Sequence, residues 1–176
     1  MTRTQLEHLI RACGEVSEEK ELIIIGSQSV LGAIPHPPRS MTMSMEADIY
    51  PSHNEKKADE IDGAIGEGSA FHDTYGYYAQ GVGPETAILP NTWRTRLHAI
   101  ENANTRGIRA LCLDPHDLAM AKYAAGREKD LEFNREMVSH GFMKREALES
   151  LVDEMPIDAA QKDLVRARIR RDFTKS

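Results

Sequence analysis

The run Leu22-Ile23-Ile24-Ile25 constrains this chain more than any other stretch. Apolar and largely β-branched residues with no polar alternation predict a central strand, Glu21 to Ile25, covered on both faces. Gly26-Ser27 ends it and forces an immediate turn. A helix starting near Ser29 then has to stop by Pro35, Pro37 and Pro38, which cannot continue it.

The surrounding pattern supplies neighbours for that strand. Thr4-Gln5-Leu6-Glu7 has capping-box form, Leu6, Leu9, Ile10 and Cys13 share one helical face, and Gly14 is a natural stop. From Met41 to Ile49 the alternation is strict. Met41, Met43, Met45, Ala47 and Ile49 fall on one side; Thr42, Ser44, Glu46 and Asp48 fall on the other. A helix is expected over Asn54 to Ile65, with Ala58, Ile61, Ala64 and Ile65 inward. Tyr75 to Val82 and Thr86 to Leu89 read as a hairpin across Gly83-Pro84-Glu85. Leu97 to Ile100 and Ile108 to Leu113 add strands around Asn102-Ala103-Asn104.

After Leu113 the pattern turns helical. Asp114 is a good N-cap with Pro115 at the first position, and the helix runs through Leu118, Lys122 and Ala125. Asp130 to His140, Arg145 to Glu154 and Asp158 to Phe173 continue in the same manner. The expected organisation is an α/β (α+β) core over 1–113 with a C-terminal helical region over 114–176 packed on it.

Composition narrows the function classes. The 176 residues carry 22 Lys and Arg against 28 Asp and Glu, a net charge of -6, so the whole chain is no generic polyanion binder. Aromatic residues at 6% argue against a stacking platform for single strands. Cys13 and Cys112 are too few for a disulfide framework or a zinc cage and read as buried thiols of a reducing compartment. His36, His53, His72, His98, His116 and His140 lack metal-ligand spacing. The first twenty residues are of mixed charge and the first apolar run is far too short for a leader or a membrane span, so a cytoplasmic protein without a membrane partner is expected.

Two carboxylates two residues apart on one strand face stand about 6–7 Å from each other along the backbone. Glu46 and Asp48 can therefore share one hard divalent ion, or hold two close together. Magnesium suits such a pair, because water and phosphate oxygens complete its shell. The same acidic alternation also protects an exposed sheet edge from pairing. Gly26-Ser27 adds a turn that permits close backbone approach and offers hydrogen bonds to phosphate. A phosphate-holding turn after one strand and a carboxylate pair on the next suit nucleotidyl or phosphoryl transfer. Lys122, Arg127, Lys129 and Asp130 form either a solvated, ion-paired helix face or a phosphate grip. Arg166, Arg168, Arg170 and Arg171 make the last helix locally basic, a solvated face or a guide for RNA.

Gly26-Ser27 followed by Glu46-Ala47-Asp48 resembles the signature of the nucleotidyltransferase-fold superfamily, and Lys122 to Asp130 resembles a second block of its minimal bacterial members. Gly26-Ser27-Gln28-Ser29, Ser44-Met45-Glu46-Ala47-Asp48, Tyr77-Tyr78-Ala79-Gln80-Gly81-Val82 and Ala125-Gly126-Arg127-Glu128-Lys129-Asp130 together resemble the nucleotidyltransferase-like DUF6036 family, over roughly 20–142. That family is related to the nucleotidyltransferases of bacterial toxin–antitoxin systems. The resemblance implies a mixed sheet flanked by helices and Mg²⁺ held by Glu46 and Asp48. It also implies a nucleoside triphosphate over Gly26 and Ser27, with Lys122 and Arg127 on its charge. Asp130 would act as an added acidic ligand or as a base, and Asp73, Glu85 and Asp114 are candidates for a third carboxylate. The implied acceptor is a macromolecule, tRNA or protein, and an antitoxin would be a further partner. A non-catalytic nucleotide- or protein-binding module of the same fold would carry the same residues.

Overall fold

The computed structural model describes residues 1–174. They form two compact units, Met1–Thr86 with Leu97–Leu113, and Ala87–Arg96 with the chain from Asp114 onward.

The first unit contains helix α1 (Arg3–Ser17), strand β1 (Glu21–Ile25), the single-turn helix α2 (Val30–Ala33) and strand β2 (Glu46–Pro51). Helices α3 (Ala58–Ile65) and α4 (Ala70–Tyr75) follow, then strands β3 (Tyr78–Gly81), β4 (His98–Ile100) and β5 (Arg109–Cys112). One mixed sheet runs in the order β3-β2-β1-β5-β4. β1 is antiparallel to β2 and parallel to β5, while β3 runs parallel to β2. The parallel β2–β3 pair needs a long crossover, and α3 and α4 supply it. β1 lies at the centre with Leu22, Ile23 and Ile24 wholly buried, which is what its uninterrupted apolar run demands.

Several local expectations are corrected, beginning with α1. Thr2, not Thr4, caps α1: its Oγ1 accepts from the Gln5 amide at 3.2 Å, while Gln5 Oε1 accepts from the Thr2 amide at 2.7 Å. Glu7 accepts instead from Asn102 and Asn104 at 2.8 and 2.7 Å. Gly14 does not end the helix. It lets α1 pass Ile108, whose Cδ1 would lie 2.6 Å from a Cβ at that position.

The second correction is to the strand expected over Met41 to Ile49, which begins only at Glu46. Met41 closes a 3-10 turn, and Met43 is 74% exposed. Gly26 bends away just after Ile25, the partner of Asp48, so residues before Glu46 have no β1 ladder to join. Ser44 Oγ takes the Glu46 amide at 3.1 Å instead, a local bond that competes with pairing.

The third is the hairpin. Pro84–Thr86 forms a 3-10 turn, β3 pairs with β2, and Thr86 to Leu89 is not a strand. Ala64, expected inward, is exposed on α3.

Helices α5 (Pro115–Ala125), α6 (Glu128–Ser139), α7 (Arg145–Glu154) and α8 (Ala159–Thr174) make up most of the second unit. Asp114 caps α5 by accepting from the His116 amide at 2.8 Å, as its sequence predicts. Leu118, Tyr123, Met137, Leu148, Val152 and Ile169 are buried within it. Arg96 ties the 87–96 segment to α5: its Nε and Nη2 donate to the two oxygens of Asp117 at 2.9 and 2.7 Å. No helix among the described residues is long and apolar enough to cross a membrane.

Asp117 is wholly buried, so removing its partner strands a charge. Arg96→Met should lower unfolding stability by about 3–5 kcal/mol, and adding Asp117→Leu should recover most of it. Urea denaturation of the two variants tests this; equal losses in both would refute the pairing.

Candidate active site

The site grows from the end of β1. Gly26 adopts φ +68° and ψ -172°, a conformation essentially confined to glycine. A Cβ on Gly26 would also lie 1.9 Å from Asp48 Oδ2. The position is reserved for glycine twice over, by its backbone and by the carboxylate standing against it. Ser29 Oγ donates to the Gly26 carbonyl at 2.8 Å and locks the bend. A 3-10 turn, Ser27–Ser29, and the four residues of α2 follow. The bend therefore offers the Ser27 hydroxyl and local amides, without the dipole of a long helix. Gln28 Oε1 is buried with no hydrogen-bond partner among the described residues, an oxygen left without a donor beside Ser27.

β2 brings the carboxylates to this bend. Ala47 and Ile49 are buried on one face, so Glu46 and Asp48, both half-buried, share the other. The register opposes Ile25 to Asp48 on one side, and Tyr78 to Glu46 and Gln80 to Asp48 on the other. β2 is thus an interior strand. Edge protection, the alternative explanation for an acidic alternation, loses its premise.

Tyr78 completes this face. Its hydroxyl donates to Glu46 Oε2 at 3.2 Å. Burial, then the charge and hydrogen bond of Glu46, then the charges of Glu67 and Asp48, push the phenol up to about 12, so it stays a donor at neutral pH. The His72 ring lies 4.6 Å from the Tyr78 ring, tilted by 48°.

The second block forms its own cluster in the second unit. Lys122 Nζ donates to Asp130 Oδ1 at 2.9 Å, and Arg127 Nε donates to Oδ2 at 2.5 Å. The ammonium of Lys122 also stands over the Phe133 ring, 4.5 Å from its centroid. Asp130 is 1% exposed. Burial alone would raise its carboxyl, but the bonds from Arg127 and Lys122 outweigh it and hold the group below the ordinary range. On α8, Arg166 pairs with Asp153 and Asp163, and Arg171 with Asp172.

The family model described as "Nucleotidyltransferase of unknown function (DUF6036)" matches residues 4–174. The chain belongs to the DUF6036 family. No curated protein and no solved structure matches it.

In this DUF6036 protein, no group of three His, Cys, Asp or Glu residues among the described residues is arranged to hold a metal ion. Two carboxylates beside a glycine cradle nevertheless fit magnesium, which takes one or two protein carboxylates and completes its shell with water and phosphate. Of the third-carboxylate candidates, Asp73 is exposed on α4 and Glu85 is exposed beside Gly83. Asp114 is the α5 cap and bonds to His116. Tyr78, Gln80 and Glu67 carry no separate site role in the sequence reading. The Tyr78-Ala79-Gln80 alternation was a signal, but only strand order shows that it lies beside Glu46-Ala47-Asp48.

Gly26→Ala should cost about 2–5 kcal/mol, from backbone strain and from overlap with Asp48. In an Asp48→Ala background the same change should cost clearly less, because only the strain remains. Denaturant titration of the four proteins measures the coupling; none would contradict the close approach. The Asp130 cluster adds an acid dependence. Its carboxyl is depressed in the fold, so its stabilisation is complete above the unfolded value of about 3.9 and fades as pH falls through the lower folded one. Asp130→Asn should flatten that acid loss in denaturation profiles taken from pH 6 to pH 2.

Proposed function

We propose that this DUF6036 protein is a Mg²⁺-dependent nucleotidyltransferase that moves a nucleoside monophosphate from a triphosphate to a hydroxyl of a macromolecule, tRNA or protein. The carrying observation is that Asp48 stands against the Gly26 bend while Glu46 shares its strand face two residues away.

Glu46 and Asp48 are the residues for the metal, as one ion or two. Bound between them, a divalent ion would neutralise triphosphate charge and polarise the phosphorus under attack. Gly26 leaves room for the Asp48 carboxylate where any side chain would intrude, and Ser27 can donate to a phosphate oxygen. The acceptor oxygen bonds to the α-phosphorus, the α–β anhydride bond breaks, and pyrophosphate leaves with the bonding electrons. The proton of the acceptor hydroxyl passes to water or to a carboxylate of the site. In the second unit, Lys122 and Arg127 are the cations assigned to triphosphate charge. Asp130 serves that role by holding the Lys122 ammonium, its two oxygens being engaged already. An antitoxin partner belongs to this proposal as well, since toxin–antitoxin nucleotidyltransferases are related.

Incubation with each α-labelled triphosphate, Mg²⁺ and total cellular RNA or protein tests the reading. Label should appear in one fraction and fall at least about a hundredfold in Glu46→Ala with Asp48→Ala. Label that survives the double change would exclude these carboxylates. Nucleotide binding without transfer or Mg²⁺ dependence would make the protein a binding module.

A further inference from the structure

We propose that Tyr78 is the positioning residue of this site: its hydroxyl fixes one oxygen of Glu46 so that the other is presented to a divalent cation. The inference rests on the reading of Glu46 and Asp48 as metal ligands, and it adds a residue that this reading does not require.

A linked series of contacts supports it. The register makes Tyr78 the direct partner of Glu46 across β2 and β3, so the two side chains leave the sheet on the same face. At 3.2 Å the hydroxyl donates to Oε2. Glu46 Oε1 makes no hydrogen bond to another described residue, which leaves it the open oxygen of the pair. The ring is held as well. His72 lies against it at 4.6 Å, and the Gly68 amide donates to His72 Nδ1 at 3.0 Å, which fixes the imidazole in turn.

This chain of contacts, amide to imidazole to phenol to carboxylate, is what an outer shell does for a metal ligand: it sets the direction of the lone pairs before the ion arrives. A phenol suits the task better than a lysine would. It is neutral, so it orients Glu46 without cancelling the charge that attracts the cation. Tyr78→Phe would keep the ring against His72 and lose only the donor.

The test is Mn²⁺ binding to the full chain, followed by the loss of the free-ion signal in electron paramagnetic resonance, so it does not depend on turnover. Tyr78→Phe should weaken Mn²⁺ binding about 10-fold or more, the usual effect of removing an outer-shell partner. In a Glu46→Ala background, the same change should add less than about twofold, because the bond through which Tyr78 acts is gone. Equal losses in both backgrounds would assign Tyr78 a merely structural role and overturn the inference. So would wild-type binding in Tyr78→Phe alongside lost binding in Glu46→Ala with Asp48→Ala, which would leave the carboxylate reading standing. Binding by the wild type no tighter than by that double variant would instead overturn the metal reading, and this inference with it.

Discussion

The close approach of the Asp48 carboxylate to the Gly26 backbone governs how the first unit is built. Position 26 has to be glycine because a side chain there would collide with Asp48, and β1 ends at the bend this glycine makes. The bend in turn leaves Glu46 beyond the reach of the β1 ladder, beside β3 alone. Sheet order does the rest. β2 is flanked by β1 and β3, so its polar face is bordered by the glycine turn on one side and by Tyr78 and Gln80 on the other.

Electrostatics explains why such a face invites a cation. Two carboxylates about 6–7 Å apart repel by roughly 2–3 kcal/mol at an effective dielectric of 20, before solvent screening lowers it. Tyr78 donates a hydrogen bond to Glu46 but brings no positive charge to it. A divalent ion turns the repulsion into attraction from both sides. The Lys122, Arg127 and Asp130 cluster has the opposite balance: two cations converge on one buried carboxylate and leave net positive charge. The two clusters thus carry opposite charge balances.

Much of this was legible in the sequence, for identifiable reasons. β1 declares itself by an unbroken apolar run, the Glu46–Asp48 face by period-two alternation, and α5 by Asp114-Pro115. Each signal is local and chemically unambiguous. The misreadings share a different cause: the deciding partner is distant in sequence. The alternation from Met41 onward resembles a strand, yet a strand needs a neighbour, and β1 has already turned away. Gly14 resembles a helix stop, yet it is there for Ile108, 94 positions later. Tyr75 to Leu89 resembles a hairpin because adjacency favours it, whereas β3 takes its partner from β2 across two helices. The place of Tyr78 beside Glu46 was hidden on the same account. Its role follows from register, and no pattern within its own strand specifies that register.

The central claim is that one divalent ion can be held jointly by Glu46 and Asp48 beside Gly26. Anomalous diffraction from crystals of the protein soaked in Mn²⁺ and a non-hydrolysable triphosphate tests it most directly. The account predicts an anomalous peak within coordination distance of oxygens from both carboxylates, with the phosphates against the glycine bend. A peak elsewhere in the molecule, with the two side chains left uncoordinated, would contradict it.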